Sequence, residues 1–159
     1  MKKIISVKNL YIFIFLLSLF SFLGALYIEH ILGAMPCKLC IYQRIPYLVA
    51  IFTSIIGYIF LNHKLWLYII LLVFFSSFLL AGYHSGIENS IFAEFKGCKS
   101  ENINLLNKDE ILKSFNEIMP NCKDVQFRIL GFSLATLNMF ISLIIVIIST
   151  FLIKNYENK

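Results

Sequence analysis

The sequence predicts an all-α integral membrane protein, a four-helix bundle with two long loops on one side of the membrane. Of its 159 residues, 59% are hydrophobic and only 14% are charged, whereas an average soluble domain has about 25% charged residues. The apolar residues also gather in four runs that lack Asp, Glu, Lys and Arg. Each run is long enough to cross a bilayer as a helix, the form that satisfies the backbone in lipid.

We predict one membrane domain, residues 1–159, whose spans are joined by loops 29–44 and 84–128. The spans are predicted at residues 10–28, 45–61, 65–83 and 129–153.

The first run could instead be a cleaved signal peptide. Its apolar stretch is longer than a signal sequence needs, and no small-residue cleavage motif follows it before Glu29. These features favour a retained first helix.

The basic residues indicate the orientation. Lys2, Lys3 and Lys8 precede the first span, and lysines beside the first span usually stay in the cytoplasm. The two long loops contain more basic residues in total, but these are spread over a much longer stretch. We therefore expect both termini in the cytoplasm. The net charge of +5 follows from this topology, so no nucleic-acid partner is expected.

All four cysteines lie in the two outer loops, where an oxidising compartment allows disulfides. Two pairs suggest themselves: Cys37 with Cys40, and Cys98 with Cys122. Haem attachment would need His at Ile41, and a four-thiolate zinc site would need a second close pair. A C-x-x-C ring is too small to stabilise much by loop closure. The pattern therefore favours redox chemistry, with structural disulfides as the alternative.

The residues after the C-x-x-C predict which sulfur is reactive. Because Pro46 is tolerated in a first helical turn, the second helix should begin near Tyr42 or Gln43. Cys40 would then lie near the positive end of the helix dipole, one turn from Arg44, and both effects favour a thiolate there. Anchoring to lipid headgroups is the alternative role for Arg44.

The second loop is predicted to contain an amphipathic helix between Cys98 and Cys122. Apolar residues recur there at helical spacing, Asn107 and Glu110 offer an N-terminal cap, and Pro120 a stop. Such a helix would lie on the lipid surface or pack on protein. We expect it to leave Cys98 exposed in a mobile segment, since exchange needs access to one sulfur.

The run PCKLCIYQR at 36–44 resembles the signature of the DsbB family, the bacterial inner-membrane disulfide bond formation proteins. The four spans, the placement of the loop cysteines and the GFSL run at 131–134 also resemble that family. A Trp that the family commonly has after the last cysteine is absent, and Phe127 lies in that neighbourhood. The resemblance implies that loops 29–44 and 84–128 are periplasmic.

The resemblance also implies a quinone-dependent thiol oxidase. Its Cys98–Cys122 disulfide would reoxidise a periplasmic DsbA-like oxidase, which would attack Cys98. The Cys37–Cys40 pair would then pass two electrons to the membrane quinone pool, with Cys40 facing the quinone. The alternative function is a structural or assembly membrane protein whose loop disulfides only brace it.

Three further residues are implied as quinone-binding. Arg44 would polarise the quinone, and Gln43 and His84 would lie beside it. The expected cofactor is ubiquinone, with menaquinone as the alternative, and no metal is expected. An ordinary interfacial position at the end of the third span is the alternative interpretation of His84.

Overall fold

The computed structural model describes residues 7–60, 63–94, 98, 120–125 and 127–157. The described elements, in chain order, are α1 Val7–His30, α2 Lys38–Tyr42, α3 Arg44–Ile59, α4 His63–Glu88, β1 Arg128–Ile129, β2 Phe132–Ser133 and α5 Leu134–Glu157. Four helical stretches of the described chain, namely α1, α2 with α3, α4 and α5, are long and apolar enough to cross a membrane. The predicted fold class, a membrane four-helix bundle, is confirmed.

The helices pack in sequence, with α1 against α3, α3 against α4 and α4 against α5. Their shared core is apolar and consists of Leu10, Tyr11, Ile14, Tyr47, Ala50, Leu67, Ile70, Phe74, Ile145 and Ile153. Many large apolar side chains face outward instead, as Phe20 does with 74% of its surface exposed. This distribution suits a bundle whose outer surface faces lipid.

The last helix begins at Leu134, later than the expected position 129. Residues 128–133 form a tight antiparallel hairpin in which Arg128 pairs with Ser133. Leu130 and Gly131 make its turn with positive φ angles of 52° and 87°, the geometry that two-residue hairpins prefer. Ser133 then caps α5, because its Oγ accepts the Thr136 N–H at 3.1 Å.

The C-x-x-C lies on a short helix, α2, that the sequence did not predict. α2 begins at Lys38 with Cys37 as its N-cap, whereas the spanning helix α3 begins at Arg44 with Gln43 as its N-cap, close to the predicted start near Tyr42 or Gln43. The reason for α2 is local: the Cys37 sulfur accepts the Cys40 N–H at 3.2 Å, which makes it the capping group.

The third spanning helix also differs from its predicted extent. α4 continues past Tyr83 to Glu88, which places His84 and Glu88 inside the helix. The amphipathic helix predicted between Asn107 and Pro120 falls almost entirely on residues 99–119, which lie outside the described residues.

Candidate redox site

The C-x-x-C pair forms the first turn of α2. Cys37 is buried and Cys40 half-buried, and both are free thiols. Their sulfurs lie 2.8 Å apart, because a spacing of three residues at a helix start brings both side chains to the same face. The pair is therefore placed to open and close a disulfide with little backbone movement.

The contacts that stabilise a thiolate converge on Cys37. The Cys40 thiol donates to its sulfur, and Nε2 of His84 lies 3.6 Å away. The hydrogen bond from Cys40, joined by that from His84 and opposed by burial, holds the pKa of Cys37 well below the ordinary range of a cysteine thiol. The expectation that the thiolate forms at Cys40 with help from Arg44 is wrong for this redox state, since Arg44 pairs with Glu29 of α1 instead.

The second cysteine pair is adjacent to the first. Cys98 and Cys122 are joined by a disulfide, the pairing suggested by the sequence. The Cys122 sulfur, the Cys37 sulfur and a ring nitrogen of His84 all lie within 4.8 Å of one another. The structure thus brings loop 29–44, the short loop, and loop 84–128, the long loop, together at the sulfurs of Cys37 and Cys122.

The expected exposure of Cys98 is wrong for this state. Only 3% of its surface is exposed, and Cys122 is similarly buried at 2%. Both cysteines belong to an apolar cluster with Cys37, Leu39 and Ile87, and this packing shields the disulfide from solvent.

Cys37, His84 and Cys122 also have the side-chain types of a soft-metal site. In this redox state, however, the Cys122 sulfur is bonded to Cys98 and is not a thiolate, the form of cysteine that ligates metals. Of these three residues, Cys37 and His84 therefore retain a free ligand atom in this state, and Cys122 does not.

A cavity of about 320 Å³ lies beside the C-x-x-C pair, between α1 and α5, within the size range of small-molecule sites. Its apolar walls include Phe20, Gly24, Ala25, Ile28, Leu134, Leu137 and Ile141. Its polar lining includes Cys40, Gln43, Arg44, His84, Glu88 and Asn138. The cavity suits an apolar ligand with a polar head held beside the cysteines.

The predicted site residues thus come together at one end of the bundle. His84 is buried, with 2% of its surface exposed, and lies within α4, which continues to Glu88. Phe127, which lies where the family commonly has Trp, also lines the cavity.

Sequence reasoning missed three residues of this site: Glu29, Glu88 and Asn138. The available signal was strongest for Asn138, a polar residue inside the fourth apolar run, since polar residues at such positions mark functional sites in membrane proteins.

The fold and the adjacent cysteine pairs define a multispanning membrane thiol–disulfide oxidoreductase. The family model described as "Disulfide bond formation protein DsbB" matches residues 7–152. The chain belongs to the DsbB family, a family of membrane thiol oxidases that generally use quinones.

Two similar proteins extend this comparison. An uncharacterized protein of Rickettsia prowazekii, RP370, is 27% identical over 146 residues, covering 88% of this chain and 84% of its own length. "Disulfide bond formation protein B" of Histophilus somni is 26% identical over 140 residues, covering 80% of this chain and 75% of its own length.

The lowered pKa of Cys37 predicts an unusual thiolate titration. In a reduced Cys98→Ser, Cys122→Ser variant, ultraviolet absorbance should show about one thiolate per chain at neutral pH, which is lost only well below the pH at which an ordinary cysteine thiolate is protonated. The sign follows from the stabilised anion: protonating it becomes harder, so the thiolate persists to lower pH. His84→Ala should move the midpoint upward. Loss of the thiolate near pH 9 in the parent variant would contradict the assignment.

Proposed function

We propose that this protein reoxidises a soluble, DsbA-like dithiol oxidase at the outer face of the membrane and passes the electron pair to a membrane quinone. The observation that carries the proposal is a continuous series of neighbouring sulfurs. Cys122 lies beside Cys37, Cys37 contacts Cys40, and Cys40 lines the apolar cavity between two spanning helices.

The first exchange takes place at the long-loop disulfide. A thiolate of the partner attacks Cys98, forming a mixed disulfide and releasing Cys122 as a thiolate. The second partner thiol then attacks the mixed disulfide, so that the partner gains a disulfide and Cys98 and Cys122 become thiols. Because Cys98 is buried, this attack requires its sulfur to become accessible from within the cluster that contains Leu39.

The second exchange joins the two loops. The Cys122 thiolate attacks Cys37 of an oxidised Cys37–Cys40 pair, and Cys40 leaves as a thiolate. Cys98 next attacks Cys122 and releases Cys37, restoring the long-loop disulfide. A lower thiol pKa makes a better leaving group, so the contacts that lower the pKa of Cys37 favour its release.

The cavity residues fit a quinone. When bound, a quinone supplies a lipid-soluble acceptor for two electrons and two protons. Closure of the Cys37–Cys40 disulfide releases that number of each. The apolar walls would hold the ring and tail, while Arg44, anchored by Glu29, supplies a cation at the polar end. Gln43 and His84 line the same end, and ubiquinone is the proposed acceptor in preference to menaquinone.

We also propose a location in the bacterial inner membrane, with both termini in the cytoplasm and both loops in the periplasm. The location of two lysines beside the spans supports this proposal, because they and the cysteines lie at opposite ends of the helical bundle. Lys8 lies in the first turns of α1 and Lys154 near the end of α5, at the end of the bundle opposite the C-x-x-C. Basic residues beside spans favour the cytoplasmic side.

Serine substitutions separate this function from a purely bracing role. Cys37→Ser and Cys40→Ser should each abolish quinone reduction driven by a reduced DsbA-like protein, because neither variant can form the disulfide that transfers the electrons. Quinone absorbance measures the reaction, using ubiquinone and menaquinone analogues in parallel. Unchanged rates in both variants would support a structural membrane protein braced by its disulfides.

Arg44 is predicted to act on the quinone and not on the thiol partner. Arg44→Ala should raise the KM for quinone by about tenfold or more, the worth of one charge-assisted hydrogen bond, and leave the KM for the partner unchanged. Arg44→Lys, which retains the cation, is the matched control and should lose less. An unchanged quinone KM in Arg44→Ala would exclude this role.

A further inference from the structure

Buried polar side chains form a chain of contacts through the bundle behind the cysteines. Tyr47 of α3, Gln43 at the α2–α3 junction and Asn138 of α5 are each 7% exposed, and His84 of α4 is 2% exposed. Polar groups are costly in such surroundings unless they are hydrogen-bonded. Three spanning helices each supply at least one member, so packing alone does not explain the cluster.

The hydrogen bonds of this cluster run in one donor-to-acceptor direction from Tyr47 through Asn138 and Gln43 to His84. The Tyr47 hydroxyl donates to Oδ1 of Asn138, and Nδ2 of Asn138 donates to Oε1 of Gln43 at 2.9 Å. This contact turns the other half of the Gln43 amide toward α4, where Nε2 lies 2.8 Å from Nδ1 of His84. An amide NH₂ can only donate, so Nδ1 must offer its lone pair.

The other ring nitrogen of His84 faces acceptors. Nε2 lies 3.6 Å from the Cys37 sulfur and 3.7 Å from Oε1 of Glu88. A proton on Nε2 and a lone pair on Nδ1 satisfy every one of these contacts with a neutral ring. The reverse orientation of both amides would place Oε1 of Gln43 against a protonated Nδ1, and a neutral ring could then no longer donate from Nε2 to a Cys37 thiolate.

We infer that Asn138 is a positioning residue which, through Gln43, holds His84 as a neutral imidazole with its proton on Nε2. His84 then acts as a fixed hydrogen-bond donor to Cys37 and not as a general base, because its only lone pair is occupied by Gln43. The inference deepens the proposed function, on which it rests for the reactivity of Cys37.

This arrangement has a consequence for pH dependence. Among the residues that the structure describes, the titratable groups facing His84 are Cys37 at the start of α2 and Glu88 on α4 itself, while α5 presents the uncharged Asn138 and the long loop presents the disulfide-bonded Cys122. A neutral donor stabilises the Cys37 thiolate without itself gaining or losing a proton. The thiol proton must therefore leave by another route than His84.

Nitrogen-15 NMR reads the protonation of each ring nitrogen directly. The chain has three histidines, so replacing His30 and His63 with Gln leaves His84 as the single imidazole. In protein whose Cys37–Cys40 pair is reduced, at neutral pH, we expect one protonated ring nitrogen of His84, Nε2, and one unprotonated ring nitrogen, Nδ1. The measurement needs neither quinone nor thiol partner.

Two variants test the role of Asn138. Asn138→Leu removes the donor that fixes Gln43, so the amide can turn and accept from a protonated Nδ1; the protonation midpoint of His84 should rise by about one unit or more. Gln43→Glu replaces the donor to Nδ1 with an acceptor, and Nδ1 should then be protonated at neutral pH. If Asn138→Leu does not fold, Gln43→Glu still decides.

Ser142→Ala is the matched control. Ser142 Oγ lies 3.2 Å from the same Asn138 oxygen, but its loss leaves the donor to Gln43 in place, so the His84 spectrum should be unchanged. A protonated Nδ1 in the parent protein, an unchanged spectrum in folded Asn138→Leu, or an unchanged spectrum in Gln43→Glu would overturn the inference. Quinone reduction measured on the same samples would separate that failure from failure of the proposed function.

Discussion

The meeting of three chain segments at the sulfur of Cys37 is the interaction on which the rest of the site depends. The sulfur caps α2, contacts His84 from α4 and lies beside Cys122 from the long loop. Each contact serves both structure and chemistry. The cap starts the helix that presents Cys40 to the cavity, the imidazole stabilises a thiolate, and the neighbouring disulfide is the proposed exchange partner.

The membrane constrains how such a site can be built. Polar side chains in an apolar bundle cost least where they satisfy one another, and the described polar groups around His84 do so through contacts between helices. Gln43 lies between Asn138 and His84, and Glu88 contacts both His84 and Ser133. These contacts tie α4 and α5 to the C-x-x-C segment, so the redox pair lies against a supported surface.

The cavity has a different character because it lies between α1 and α5, the first and last helices of the bundle. A site between spanning helices suits a ligand that arrives through lipid, and the apolar walls match such a ligand. The polar end includes Cys40 and Arg44, and Arg44 pairs with Glu29 of α1. The same geometry explains why the thiol partner and the quinone would act at separate places, one at the long loop and the other within the bundle.

The sequence predicted the four helices, because charge-free runs of this length have few alternatives, and it suggested both cysteine pairs. The sequence-based predictions were wrong or incomplete where contacts between separate elements determine the structure. Hydropathy ended the third span at Tyr83, whereas the helix continues because His84 and Glu88 find partners on other elements. The apolar residues of the hairpin, such as Leu130, resembled the start of a span. The pairing of Arg44 with Glu29 and the position of Asn138 depend on how the helices pack, which no local pattern reveals.

The most direct test of the account is whether the two loops exchange disulfides with each other. In a Cys40→Ser, Cys98→Ser variant, mild oxidation should join the remaining cysteines, Cys37 and Cys122, and peptide mapping by mass spectrometry should find that cross-link in most chains. A control protein that is known to cross-link should be treated with the same oxidant in parallel. If the folded variant still yields both cysteines as free thiols, direct electron transfer between the two cysteine pairs is contradicted.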